Sequence, residues 1–229
     1  MVYGETGKLP LSKLMNCNVL NYRYRVGGLS DDKIVKKVFN ELYRLDSLGF
    51  HTWISEVKHI ERSYPVDIGV STVESLKQHV KTGVRDAYES FWYENINNVK
   101  NNPGLRTYRT INQNLVFQCY LDNISDFRFR KALAQLRCSS HSLEIERARH
   151  VRPRAPPVHQ RLCNNCCVLA DEIHFLTNCT NCTLFDQERS SLFHSVTLKC
   201  QNFINLDSES MSIYLLTSAP MGITVGNFE

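Results

Sequence analysis

Five cysteines and one histidine fall between residues 163 and 182, in the order Cys163-Asn-Asn-Cys166-Cys167, His174, Cys179-Thr-Asn-Cys182. Thiolates and imidazole are the donors that Zn²⁺ prefers. Two from a tight turn and two from a short helix can close a tetrahedron around one ion. The set Cys163, Cys166, His174 and Cys179 has that form, with spacings of x2, x7 and x4. Two alternatives stay open: Cys182 in place of His174, which gives an x2, x12, x2 four-cysteine pattern, and Cys167 in place of Cys166. Either way four protein donors leave no position for a substrate water, so the expected role is structural. Asp171 and Glu172, just before His174, are expected to orient the imidazole. Such a segment folds when loaded, since zinc-finger peptides gain roughly 10–16 kcal/mol from the metal near neutral pH.

Charge is distributed unevenly around this cluster. Between Arg106 and Arg161 eleven Lys/Arg stand against four Asp/Glu, a net of +7; from Leu162 onward two stand against seven, a net of −5. Localised positive charge is what a phosphate-tracking surface needs. The candidate phosphate contacts are Arg128, Lys131, Arg137, Arg147, Arg149, Arg152 and Arg154, with Tyr108 and Phe127 as candidates to stack on unpaired bases. No apolar run reaches the roughly 18 residues of a membrane span. With no secretory leader at the N-terminus, the odd count of nine cysteines reads as metal and free thiols rather than disulfides, and the expected location is intracellular, nuclear or cytoplasmic. Cys17, Cys119, Cys138 and Cys200 are expected as buried thiols.

The elements that must hold these residues read as helical nearly throughout, so the expected fold is all-α, an irregular multi-helix bundle with a small zinc-bound knuckle near the C-terminus. Leu11, Leu14, Met15, Val19 and Tyr22 predict a helix ending at Gly27-Gly28. Ser30 is a candidate cap for the next, whose apolar face is Ile34, Val35, Val38, Phe39, Leu42 and Leu45, with Gly49 as its stop. Trp53, Ile54, Val57 and Ile60 predict a short helix before Pro65. Ser71-Thr-Val-Glu74 fits a capping box, and the stripe Val73, Leu76, Val80, Val84, Phe91 and Trp92 runs on to Ile96. Asn101-Asn-Pro-Gly104 is a break. After Ser125 a further helix turns Phe129, Leu133 and Leu136 inward; Arg152-Pro-Arg-Ala-Pro-Pro157 cannot be helical; and a last helix runs through Leu184, Glu188 and Leu192. Three regions follow: a helical domain over 1–100, a basic helical segment over 105–200 with the knuckle at 159–183, and a C-terminal helix and tail over 201–229.

Arg106-Thr-Tyr-Arg109, then Ala132 through Arg137-Cys-Ser-Ser-His141 to Glu146, then Pro153, then the cysteine cluster with His174-Phe-Leu, occur in this order. Together they resemble the C-terminal, post-polymerase region of non-LTR retrotransposon reverse transcriptases from invertebrate animals. The earlier part, from Gly7 through Tyr22-Arg-Tyr-Arg25 to Trp53, resembles the thumb-proximal region that follows the polymerase core there. The resemblance implies that Cys163, Cys166, His174 and Cys179 match the family's ligand positions. It also implies that Arg137, Ser140, His141, Glu146 and Arg149 lie against the knuckle or on nucleic acid. Ala170, Thr180 and Cys167 depart from the family's pattern. No Tyr-x-Asp-Asp polymerase signature and no endonuclease motif is present, so the chain is expected to lack that chemistry.

The expected function is therefore a nucleic-acid-binding accessory region for template RNA or target DNA. Its expected partners are RNA or DNA and the polymerase core of the parent element, and no membrane. The alternative is a zinc-stapled helical scaffold for protein partners with no nucleic-acid role. An enzyme is not expected: Ser139-Ser-His141 reads as adjacent residues whose side chains point apart on a helix, and of the paired acids Asp31-Asp32 reads as a helix start and Asp171-Glu172 as support for the metal ligands.

Overall fold

The structure, a computed structural model, describes residues 2–64, 73–180 and 183–217. The expected capping box at Ser71, Cys182 and the tail from Pro220 lie outside the described residues. Among the described residues the fold is all-α, with no strand; an isolated antiparallel bridge joins Leu162 and Leu169. The helices are α1 (Val2–Thr6), α2 (Leu11–Gly27), α3 (Ile34–Ser47), α4 (Trp53–Ser63), α5 (Val73–Asn97), α6 (Arg106–Ile111), α7 (Tyr120–Asn123), α8 (Phe127–Arg137), α9 (Glu144–Arg147), α10 (Glu172–Thr177), α11 (Thr183–Thr197) and α12 (Ser208–Thr217). None of them is long and apolar enough to cross a membrane.

The chain divides into two compact units, Val2–Glu94 with Asn114–Val116, and Asn95–Gln113 with the residues from Phe117 on. The boundary falls within α5, upstream of the expected break at Asn101–Gly104. Asn102 Nδ2 donates to the Asn95 carbonyl at 2.9 Å and Arg109 Nε to that of Ile96, so the break folds back onto the last turn of α5. The region from residue 201 is likewise no separate body, because α12 packs on α6, α8 and α10.

In the first unit α2, α3 and α4 pack on one another. One core gathers Cys17, Leu20, Tyr64, Val80 and Val84; a second gathers Val26, Phe39 and Ile54 against Leu42, Tyr43 and Trp53. The buried stripe of α5 runs Val80, Val84, Tyr88, Trp92, Ile96 at a strict four-residue step, while Phe91, expected inside, is exposed. On α3 only Phe39 is buried; Ile34, Val35 and Val38 face out, because α2 and α4 cover one side of that helix alone. Its start also differs from expectation. Lys33, not Ser30, is the N-cap, and no side chain caps it.

Its end follows the expected stop. Gly49, at φ +88°, takes the left-handed position that glycine tolerates, with Gly49 N–H bonded to the Asp46 carbonyl and Phe50 N–H to that of Leu45. Thr52 then opens α4: its side chain accepts the Ile54 amide at 3.2 Å, and Ser55 Oγ accepts the Thr52 amide at 3.0 Å. This reciprocal cap satisfies two otherwise orphan donors. Replacing Thr52 by Ala is expected to lower stability by about 1 kcal/mol and Thr52→Ser by far less, read as the urea midpoint of the full chain.

Candidate metal centre

The local sequence builds a knuckle from residues 161 to 170. The Cys163 amide donates to the Val168 carbonyl at 2.8 Å, the Cys167 amide to Cys163 at 2.9 Å, and the Ala170 amide to Arg161 at 3.0 Å. Closing so tight a turn puts Cys167 in the left-handed region, at φ 55°. That conformation turns its side chain to solvent and leaves Cys163 and Cys166 facing inward. Helix α10 supplies the other two donors. Asp171 caps it, Oδ1 accepting the His174 amide at 2.9 Å, and the Cys179 amide closes onto the His174 carbonyl at 2.8 Å, which folds the chain back under the helix end.

The outcome is one cluster. The donor atoms of Cys163, Cys166, His174 and Cys179 all lie within 4.8 Å of one another. Cys163 Sγ and Cys179 Sγ are 3.8 Å apart, far beyond a disulfide bond of about 2.05 Å. That separation equals the edge of a tetrahedron whose centre-to-sulfur length is about 2.3 Å, roughly 3.8 Å. His174 is buried, and its Nε2 has no hydrogen-bond partner. A buried, unpaired imidazole nitrogen among three thiols is a costly arrangement unless something fills it. The residues fit a metal ion, and the four of them can hold one. Hydrogen bonds from the Thr180 side chain and amide hold the Cys166 thiol below its usual range, which favours the thiolate that a metal takes. Cys167, considered as a substitute for Cys166, is exposed and outside the cluster.

The expected carboxylate support for His174 takes a different form. Asp171 acts on the backbone amide, and Glu172 turns away from the imidazole into the interior, where it is fully buried. There Arg106 Nη2 donates to Glu172 Oε2 at 2.7 Å, while His141 Nε2 and Ser139 Oγ donate to Oε1 at 2.7 and 3.1 Å. The Leu143 amide lies 3.3 Å from His141 Nδ1, which assigns the ring proton to Nε2. Burial by itself pushes the Glu172 carboxyl up. The His141 hydrogen bond and the Arg106 charge outweigh it and hold the pKa at about 2. A lowered pKa of this kind stabilises the fold above the ordinary carboxylate range. The contribution fades as pH falls from about 4.5 toward about 2.

Ser139 and His141 are not on a helix, as expected, but just past the end of α8. The Ser140 amide bonds to the Gln135 carbonyl and the Ser139 amide to that of Leu136, with Ser139 at φ 48°. This left-handed helix end aims both side chains at the same carboxylate oxygen, so His141 does not activate Ser139.

Six of the eleven cations between Arg106 and Arg161 are held by the protein itself. Arg106 binds Glu146 and Glu172; Arg149 lies 3.1 Å from Glu146; Arg109, Arg130 and Arg161 donate to backbone carbonyls. Arg137, expected on phosphate, is completely buried: it donates to the Leu216 carbonyl and to Gln118 Oε1, and lies over the Tyr120 ring. Tyr108, expected to stack on bases, is also fully buried, with its hydroxyl bonded to Asn112. Both are corrected to structural roles, because amphipathic side chains with a long apolar body are as suited to the interior as to a ligand. Arg128, Lys131, Arg147, Arg152 and Arg154 are exposed, as is Phe127. Arg128 pairs with Asp126 and Arg147 with Glu144.

Of the expected buried thiols, Cys17 is buried, Cys138 and Cys200 are half-buried and Cys119 is exposed. One contributor carries no spacing signal of its own. Arg189 on α11 donates to the carbonyls of Phe175 and Cys179, and so fixes the backbone on either side of the last donors. Its isolation in an acidic stretch was the available clue.

Comparisons with family models, with curated proteins and with solved structures find no match for this chain.

Metal analysis of the purified chain should find about one ion per molecule in the wild type and in Cys167→Ser, and well under half of that in Cys163→Ser and His174→Ala; equal loading of all four would rule out this donor set. Glu172→Gln, which leaves Arg106 short of one counter-charge in the interior, should cost about 3 kcal/mol near neutral pH, measured by urea unfolding of the metal-loaded protein.

Proposed function

We propose that the chain is a zinc-stapled, nucleic-acid-binding accessory region of the kind that follows the polymerase core in non-LTR retrotransposon reverse transcriptases. Three observations support zinc as the metal. The donor set is Cys₃His, its Sγ–Sγ edge of 3.8 Å fits zinc–thiolate bonds of about 2.3 Å, and four protein donors make a closed structural site. Bound there, the ion would supply folding energy rather than a reactive water. The order of motifs from Arg106 to Cys179 supports the family reading.

The observation that carries nucleic-acid binding is a set of exposed cations on the segment that leads into the knuckle. Arg152 and Arg154 are exposed on an extended, proline-bounded stretch and have no partner among the described residues. Arg147 is exposed on α9, just upstream. On α8, Phe127 and Lys131 are both exposed and stand one helical turn apart, so an aromatic face lies beside a cation. A ring that stacks and a cation that neutralises phosphate are the two parts of single-strand recognition. The expected ligand is single-stranded RNA or DNA, without base-specific readout.

A second reading, the protein-interaction scaffold, is favoured by one fact: six of the eleven cations in the basic segment are held internally. One experiment separates the two. With about five exposed cations, affinity for a single-stranded oligonucleotide should fall with salt at a log–log slope of about −3.5. The triple variant Arg147→Glu, Arg152→Glu, Arg154→Glu should reduce that slope to about −1.5, with metal content unchanged. Filter binding across a salt series reads both, and a flat wild-type response favours the scaffold.

A further inference from the structure

A cavity of about 480 Å³ opens beside the donor cluster, between α9, the knuckle, α10 and α11. Its volume falls within the range of ligand pockets and far exceeds what one coordinated ion fills. Cys163, His174 and Cys179 form one wall, so an ion held by them would lie at that end alone. Leu143, Leu162, Phe175 and Phe185 supply the apolar part of the remaining lining. Phe175 and Phe185 are in ring contact, with centroids 4.6 Å apart.

The charges around it are the opposite of those on the basic segment. Glu144, Asp171 and Glu188 line the cavity against a single cation, Arg147. Glu144 is matched to Arg147, and Asp171 is engaged by the His174 amide. Nearby Arg189 is matched by Asp186 at 3.0 Å. Glu188 is exposed on α11 and has no partner among the described residues. Three thiolates around a divalent ion would add one further negative charge at the wall. A phosphate is repelled here; a cation with apolar neighbours is attracted.

We propose that this cavity docks a short peptide segment of a partner protein in which a lysine or arginine stands next to a large apolar residue. The apolar side chain lies on Phe175 and Phe185, and the cation meets Glu188 at the mouth, its methylene stem along Leu143 and Leu162. Charge complementarity selects this occupant. A nucleic-acid strand fails it by sign, and an acidic peptide fails it for the same reason. The proposal does not depend on the nucleic-acid reading: Arg147 borders both surfaces, but Glu188 lines the cavity and Arg152 and Arg154 do not, so variants at those positions separate the two.

The test uses the full chain loaded with one equivalent of zinc and a capped, fluorescein-labelled peptide, Gly-Arg-Leu-Lys-Leu-Gly, followed by anisotropy. Binding by the wild type should weaken about tenfold in Glu188→Lys and less in Glu188→Gln. A peptide with Glu in place of Arg and Lys should not bind. Both variants change an exposed helix position, and equal metal content and helicity confirm that they fold. Oligonucleotide affinity in Glu188→Lys should be equal to or above the wild-type value. Unchanged peptide affinity in Glu188→Lys, binding of the acidic peptide, absence of wild-type binding, or displacement of the peptide by the oligonucleotide would each overturn the proposal. Because oligonucleotide binding is read separately on the same protein, failure of the docking pocket and failure of the nucleic-acid reading give different results.

Discussion

A single buried carboxylate, Glu172, organises the surroundings of the candidate metal centre. It opens α10, the helix that carries His174, and takes hydrogen bonds from Arg106 on α6 and from Ser139 and His141 beyond the end of α8. Removing an ion pair from water is expensive, and the cost is offset only where geometry is good and the remaining lone pairs are filled. Both oxygens of Glu172 are filled here, and Arg106 has a second acid, Glu146, on its other nitrogen. Three separate segments are thereby fixed around one point. The donor cluster is built on one side of that point, so the placement of His174 is inherited from contacts that never touch its ring. Gly104 shows how close the surrounding chain comes: a Cβ there would lie 1.9 Å from the Arg149 guanidinium that flanks Glu146.

The same network explains why a strongly basic stretch does not translate into an equally basic surface. Guanidinium groups serve two purposes in this unit. Those of Arg106, Arg109, Arg137 and Arg161 have planar forks that reach two acceptors at once, and they cross-link loops and helix ends that have no sheet to hold them. Those of Arg128, Arg147, Arg152 and Arg154 extend outward, and with Lys131 they make up the surface charge. Phosphate binding, if it rests on the second group, is limited by its number and not by the net charge of the sequence.

Much of the fold was legible in the sequence because its signals are local. Leu11 to Gly27, Trp53 to Ser63 and the long stripe to Asn97 follow directly from apolar spacing and from stops such as Gly49 and Pro65. The donor set was legible for the same reason: its four members lie within seventeen residues and their spacings are those of a turn and a short helix. What could not be read was distant. Arg137 is matched by the carbonyl of Leu216, seventy-nine residues away, and Glu172 by residues thirty-one to sixty-six positions earlier. Periodicity also marks which side of a helix is apolar without saying whether anything covers it. Ile34, Val35 and Val38 form a proper stripe and still face out. Tyr108 is the mirror case, an aromatic expected on a ligand and found in the interior, whereas Phe127 is exposed.

The bond from Arg137 to the backbone of Leu216 has a practical corollary. A guanidinium sealed in the interior must keep all its acceptors, and one of them belongs to the penultimate residue of the last helix. Shortening the chain by even the final turn of α12 would remove that acceptor and leave the guanidinium with Gln118 and the Tyr120 ring. A fragment that keeps this acceptor in place must therefore extend on its C-terminal side to Leu216.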